Sequence, residues 1–384
     1  MMRMKGVRAK ARGVALLAVA ALLVTACGGG DTDETDPGST DDPAAEPTDE
    51  PSEEPADEPA GEGEAAGSGE TFQMRIGNET ANDVQEELGE LFVARVEEAS
   101  EGRIEGEFFT AGALGNNIEM LQSIQSGGLE GSIAPTAWMS TFVPELGVLS
   151  LPFLFPGESM EEMIGNIGEL LEGEAGDLIR ASAEEQGFRI ISLFGIGPQV
   201  IYSSSPIAGL EDLQPRTFRV LPGDEHTRTF ADWDVQGVAV PFGEVYTSVQ
   251  QGVIDGGENP PDVLLKSGFH EVGPNIVETY HNALVSYITV STEWYDSLPA
   301  DLQAVVDEVG AELVTEGGAL YAERQGAALE ELKADEAVDV SAFPAEDLEE
   351  MERLNREGVW QVTSDDPVKG PVVEAFLADL EASS

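Results

Sequence analysis

An α/β fold with largely parallel sheets is predicted by the order in which strand-like and helix-like segments follow one another from residue 71 onward. A hydrophobic fraction of 41% over 384 residues provides for a buried core of more than one folded unit. No repeat of fixed period interrupts that alternation, so a solenoid or propeller is not indicated.

Residues 1–12 carry Arg3, Lys5, Arg8, Lys10 and Arg12 and no acid, and residues 14–24 are apolar. That run is shorter than the roughly 20 residues needed to cross a bilayer. With small residues next to Cys27 it reads as a signal peptide over residues 1–26. Val24-Thr25-Ala26-Cys27 resembles a bacterial lipoprotein signal, which makes Cys27 the expected lipidation site and anchor at the outer face of the cytoplasmic membrane, at the cell surface or in the periplasm. Residues 27–70 continue as a linker. From Gly28 to Glu70 it holds 16 acidic residues, no Lys or Arg and no aromatic residue. Such a segment buries too little apolar surface to fold, and like-charge repulsion extends it.

In the body from residue 71, Phe72–Gly77 reads as a strand. Asn82 is the expected cap of a helix with Val84, Leu88, Leu91, Phe92, Val96 and Ala99 on one face, stopped by Gly102. Arg103–Phe109 alternates as a strand does. Ile118, Leu121 and Ile124 mark another helix. Phe188–Phe194 and Leu284–Val290 read as buried strands. Arg216–Val220 and Val238–Val240 read as strands flanking a helix at residues 224–233. Glu244–Gly252 and Pro260–Ser267 read as helices, and the chain is mainly helical from Pro299.

The formal net charge is −55, from 19 basic and 74 acidic residues. Without its leader and linker the body still carries 58 acids against 14 bases. A chain of this kind is repelled by nucleic acid. Its acid-rich, Lys-poor surface suits high salt, which screens such repulsion. Cys27 is the lone cysteine, so no intramolecular disulfide forms.

Catalytic patterns are thin. His226, His270 and His281 lack zinc-ligand spacing. Gly195-Ile196-Gly197 begins like a dinucleotide loop without its third glycine. No G-x-S-x-G elbow and no phosphate loop occurs. A paired-carboxylate hydrolase stays open as a rival, but with 58 acids any two carboxylates say little. No metal, cofactor or enzymatic activity is expected.

Thr217-Phe218-Arg219-Val220, followed by Phe242-Gly243-Glu244-Val245-Tyr246 and Asp255-Gly256-Gly257-Glu258-Asn259-Pro260, resembles the solute-binding proteins of tripartite ATP-independent periplasmic (TRAP) transporters, the DctP family. The likeness extends to residues 101–106, 143–155 and 292–306. It implies a periplasmic-binding-protein-like fold of two α/β lobes with the ligand between them and a helical C-terminus. Lobe 1 is expected at 71–196 plus 285–324, and lobe 2 at 197–284 plus 325–384.

The resemblance also implies the function: capture of a small organic acid outside the cytoplasm by a monomer and delivery to the permease membrane subunits. A sensor that presents the same solute to a signalling receptor is the other rival. Arg219 matches the family's carboxylate clamp, and a guanidinium offers a planar fork of donors that stays charged when desolvated. Asn259 matches a ligand-contacting asparagine, although Asn before Pro is also a good helix N-cap. Phe242 matches an aromatic packed on the solute. Asn78, with Glu79 beside it, lies at the first lobe's polar contact. Trp138 and Thr136 fall in a loop expected to face the cleft. Gln199 stands where some members carry a second arginine, which points to a single carboxylate, with hydroxyl or keto groups, or to a zwitterion if Glu79 or another acid meets a cation.

Overall fold

The computed structural model describes residues 70–157 and 159–383. The expectations for Cys27, the leader and most of the acidic linker lie outside them. Eleven strands occur among the described residues: β1 (Phe72–Gly77), β2 (Ile104–Phe109), β3 (Gly131–Pro135), β4 (Phe188–Pro198), β5 (Val200–Ser203), β6 (Thr217–Val220), β7 (Gln236–Ala239), β8 (Gly256–Asn259), β9 (Asn275–Glu278), β10 (Ala283–Ser291) and β11 (Asp339–Ala342).

They form two sheets, ordered β2-β1-β3-β10-β4 and β11-β9-β5-β8-β6-β7. The sheets are mixed rather than largely parallel. β10 runs antiparallel to β3 and β4, and β5 runs antiparallel to β8 and β9. The reason lies in the crossings. The chain passes from the first sheet to the second between β4 and β5 with only Gln199 between them. It returns between β9 and β10, and β11 brings it to the second sheet a last time.

Each sheet is buried on both faces, and strands such as β10 and β4 therefore read as apolar runs. Along β10, Ala283, Val285 and Tyr287 enter one core while Leu284, Ile288 and Val290 enter the other. In the second sheet Ile201, Phe218, Val220 and Val277 face one core, and Val200, Tyr202 and Ile276 the opposite one. Each fully buried side chain of this size contributes about 1.5–3 kcal/mol.

The first helix spans Val84–Ala99 and buries Val84, Leu88, Phe92 and Val96 at intervals of four. Its cap is Asp83, which accepts a hydrogen bond from the backbone N–H of Glu86 at 3.0 Å. The expected cap Asn82 instead takes a left-handed turn conformation, φ 58°. The helix Ala300–Ala334 is 35 residues long. It packs on β4 and the helix Val84–Ala99 from the first sheet's side, and on the helix Pro261–Lys266 from the second's.

The C-terminal helix Gly370–Ser383 departs from the expected grouping of 325–384 with the second sheet. It packs on the helices Glu174–Glu185 and Met160–Leu170. There Val372, Val373 and Phe376 join the core of the first sheet, with Phe376 edge-on to Phe155 at 5.3 Å.

Candidate functional site: a buried arginine facing a closed cavity

β6 lies between β7 and β8, with Arg219 opposite Val238 and Gly257. Alternation along a strand sends Phe218 and Val220 into one core and Arg219 to the other face. Arg219 is 1% exposed. Its Nε donates to the carbonyl of Val240 at 3.3 Å, and neither Nη1 nor Nη2 has a partner. Burial lowers its pKa, opposed by Tyr202, Glu258 and Glu79. An unpaired buried guanidinium is costly unless an anion reaches it.

Such an anion has room. A cavity of about 80 Å³ is lined by Arg219 with Glu79, Trp138, Phe242 and Asn259. Leu221, Leu284 and Ile196 supply apolar wall, and Asp83, Asp262, Lys266 and Tyr321 supply polar groups.

Asn259 closes β8 just before Pro260-Pro261. Proline cannot donate to a ladder, so the strand stops there, and Pro261 opens the helix Pro261–Lys266. The cap of that helix is Pro260, so the N-cap reading of Asn259 is corrected: its side-chain oxygen is buried and without a partner. Phe242 begins a 3₁₀ turn, not the helix itself, and leans on Phe269 with ring centroids 5.5 Å apart. Glu79 accepts from the Asn117 side chain at 2.6 Å. Burial raises its pKa, against the pull of Asn117 and Arg219. Trp138 stands half-buried on the short helix Thr136–Met139.

Three expected residues stand behind this wall. Asn78 is fully buried and donates to Thr80 Oγ1 at 3.2 Å. Thr136 is buried at the start of its helix. Gln199 is fully buried in the crossing between the sheets; its amide has no partner, and its backbone N–H donates to Asn282 at 2.7 Å. None of the three lines the cavity.

Sequence reasoning missed the opposite end of the cavity. Asp83 reaches it from the first helix. Asp262 reaches it from the helix Pro261–Lys266, held by hydrogen bonds from Gln325 Nε2 and to Gln325 Oε1. Burial first, then the neighbouring Asp83, pushes Asp262 up to about 6, with the Gln325 hydrogen bond opposing. Tyr321, from the long helix, is buried with its hydroxyl unpartnered. The one local signal was the acid following Pro260-Pro261.

Beneath Asn259 lies a second buried group. Glu258 pairs with His281 Nε2 at 2.8 Å and His226 Nδ1 at 3.2 Å. Burial would raise its pKa, but the two histidines outweigh burial and hold it down at about 2. Among the described residues no cluster of His, Cys, Asp and Glu could hold a metal ion, and no helix is long and apolar enough to cross a membrane.

Two mixed sheets around a cavity, with a desolvated cation in its wall, define a receptor for a small solute. Residues 77–364 match the profile of the bacterial extracellular solute-binding proteins, family 7, and the chain belongs to this DctP family. The solute-binding protein NAS141_03721 of Sulfitobacter sp. (strain NAS-14.1) is 27% identical over 293 residues, 76% of this chain and 82% of that protein. A TRAP periplasmic solute-binding protein from Desulfovibrio salexigens with bound orotic acid superposes with a TM-score of 0.76 at 26% identity, covering 82% of this chain and all of that one. Another, from Sulfitobacter sp. NAS-14.1 with bound β-D-galacturonate, gives 0.72 at 25% identity, covering 79% and 99%. The family is one of binding proteins, which agrees with the thin catalytic patterns of the sequence.

Proposed function

We propose that the protein captures a small organic acid outside the cytoplasm and hands it to the membrane subunits of a TRAP-type permease. The observation that carries this reading is Arg219: buried, with both Nη groups free of partners among the described residues, in the wall of a cavity. A carboxylate fits the guanidinium fork in a bidentate pair. Asn259 offers an amide beside it, and Phe242 and Trp138 offer apolar walls. The relatives in complex with orotic acid and galacturonate support an acid as the solute. Capture proceeds by closure of one sheet's lobe on the other about the β4–β5 and β9–β10 crossings.

The decisive test is titration calorimetry of the purified full-length protein against keto, hydroxy, sugar and simple carboxylic acids, after native mass spectrometry has checked for a solute carried through purification. Binding of one equivalent of an acid, lost in Arg219→Ala, is the expected result. Heat from no acid, with no carried solute, rejects the reading.

Cys27 is proposed as the lipidated anchor, followed by a linker that spaces the receptor from the membrane. Cys27→Ser should move the protein from the membrane fraction to the soluble fraction with unchanged affinity. A mutant that stays with the membrane removes the anchor from the proposal.

A further inference from the structure

The cavity has two chemically different ends. Arg219 marks one. The other gathers Asp83, Asp262 and the Tyr321 hydroxyl from three separate elements. Both carboxylates lie close enough to Tyr321 to raise its pKa further, after burial has raised it already. Tyr321 is 2% exposed, and its Oη has no hydrogen-bond partner. Neither Asp83 nor Asp262 makes an ion pair with a lysine or arginine. The Asp83 carboxylate caps its helix through the backbone N–H of Glu86 and also accepts from the Thr80 side chain. Asp262 holds Gln325 and the backbone of Val263.

The charges in the cavity wall set a condition on its occupant. Glu79, Asp83 and Asp262 face Arg219 and Lys266, and Lys266 is exposed at the rim. A simple carboxylate would therefore add a further negative charge to a wall that already has a net negative charge. A neighbouring hollow shares Asp83, Asp262 and Lys266 with the cavity and adds Glu86, Glu87, Glu90 and Glu331, against which stands Arg324, paired with Glu87 at 3.1 Å, so the lining stays acidic on balance. An approach lined with carboxylates repels an anion and attracts a cation.

We propose that the solute is a zwitterion, its carboxylate held by Arg219 and a positively charged nitrogen held between Asp83 and Asp262 beneath the Tyr321 hydroxyl. This rests on the organic-acid reading above and narrows it to a subclass. A cationic nitrogen restores the charge balance that a bare acid would upset. A protonated amine or amidine would also use the unpartnered Tyr321 oxygen as an acceptor. Burial holds Asp262 at about 6, so the carboxylate is still ionised at neutral pH and available to the cation.

The test uses pairs of equal shape and different charge, measured by calorimetry on the full-length protein. Trimethylammonioacetate is paired with 3,3-dimethylbutanoate, 4-aminobutanoate with 4-hydroxybutanoate and with pentanoate, and a cyclic amidine carboxylate with its carbocyclic analogue. At least one zwitterion should bind at least about tenfold more tightly than its anionic partner, which lacks the cationic nitrogen. Asp83→Asn keeps the helix cap and Asp262→Asn keeps the Gln325 hydrogen bond, so both should fold, and in each the preference should shrink toward unity. Tyr321→Phe should weaken binding of the protonated amine while leaving that of the quaternary one, which donates no hydrogen bond, in its original ratio to 3,3-dimethylbutanoate.

The zwitterion proposal is overturned if the anionic acids without a cationic nitrogen bind in an Arg219-dependent way and every zwitterion equals or trails its partner; the organic-acid reading then survives. A preference that persists in both Asn variants also overturns it. If acids and zwitterions bind equally well in Arg219→Ala, the organic-acid reading itself fails.

Discussion

Tyr202 occupies the space over Gly257: a Cβ at that glycine would lie 2.7 Å from the phenol oxygen and 3.0 Å from Cζ. Gly257 is paired with Arg219 across the β6–β8 ladder, and Tyr202 is among the groups that hold Arg219 in its charged form. The glycine thus lets a buried tyrosine lie against the strand that carries the clamp.

Gly257→Ala should force that ring aside. Overpacking of this kind costs about 1–3 kcal/mol. We expect a lower denaturation midpoint together with weaker solute binding, since the ring would be displaced near Arg219. Gly256→Ala is harsher. Its Cβ would meet the Tyr202 carbonyl oxygen at 1.9 Å, a backbone atom that cannot rotate away, so this variant should fail to give soluble native protein. Wild-type stability in Gly257→Ala would show that Tyr202 is not held as described.

Arg219→Ala should separate stability from binding. In the empty protein the guanidinium is desolvated and half unsatisfied, so its removal should leave the thermal midpoint unchanged or raise it. Binding should fall at least tenfold, in keeping with about 2–5 kcal/mol for one partner of a buried charged pair. Ligand-induced stabilisation, which follows RT ln(1 + [L]/Kd), should shrink accordingly. A large drop in the midpoint of the empty mutant would assign Arg219 to the core instead.

The two buried carboxylates should give opposite pH slopes. Glu258 is depressed in the folded protein to about 2, from an ordinary 4.5. Its stabilising contribution is present above the unfolded value and is lost as pH falls from about 4.5 toward 2. A shift of this size corresponds to about 3 kcal/mol. Glu258→Gln should therefore be less stable than wild type at pH 7, with the gap closing on acidification. Denaturant titrations at pH 7, 5 and 3.5 measure it, and a gap independent of pH would mean packing, not charge, is at work.

Asp262 is raised to about 6 from an ordinary 3.8. Here the folded state is favoured most below the unfolded value, and stability is lost as pH rises from about 3.8 through 6. Asp262→Asn should accordingly be more stable than wild type at pH 7.5, by up to about 3 kcal/mol, and indistinguishable from it near pH 3.5. A variant less stable at pH 7.5 would contradict the burial argument.

Long, strongly apolar elements were legible in the sequence. Most of β10 and the first part of β4, Phe188–Phe194, were readable from their runs of Leu, Ile, Val and Phe, and the helix Val84–Ala99 from its spacing. β5, β8, β9 and β11 were not. Each is four residues long, and β8 reads GGEN, with no apolar residue at all. β5, β8 and β9 exist because neighbours on both sides satisfy their backbones, and edge strand β11 because it pairs with β9, a tertiary cause with no local pattern. The same holds for the cavity. Arg219, Asn259 and Phe242 stood in one recognisable stretch. Asp83, Asp262 and Tyr321 lie far apart in sequence and meet only through the packing of three helices.

The cavity wall draws on residues from Glu79 to Tyr321, and the chain changes sheets three times to bring them together. No fragment of the protein carries half a site of any use. A product truncated before the long helix lacks Tyr321 and Gln325, and one that has lost everything before the helix Val84–Ala99 lacks Glu79 and Asp83. Occupancy by solute is therefore a certificate of complete maturation: a permease that engages only the loaded receptor screens out damaged copies without inspecting them.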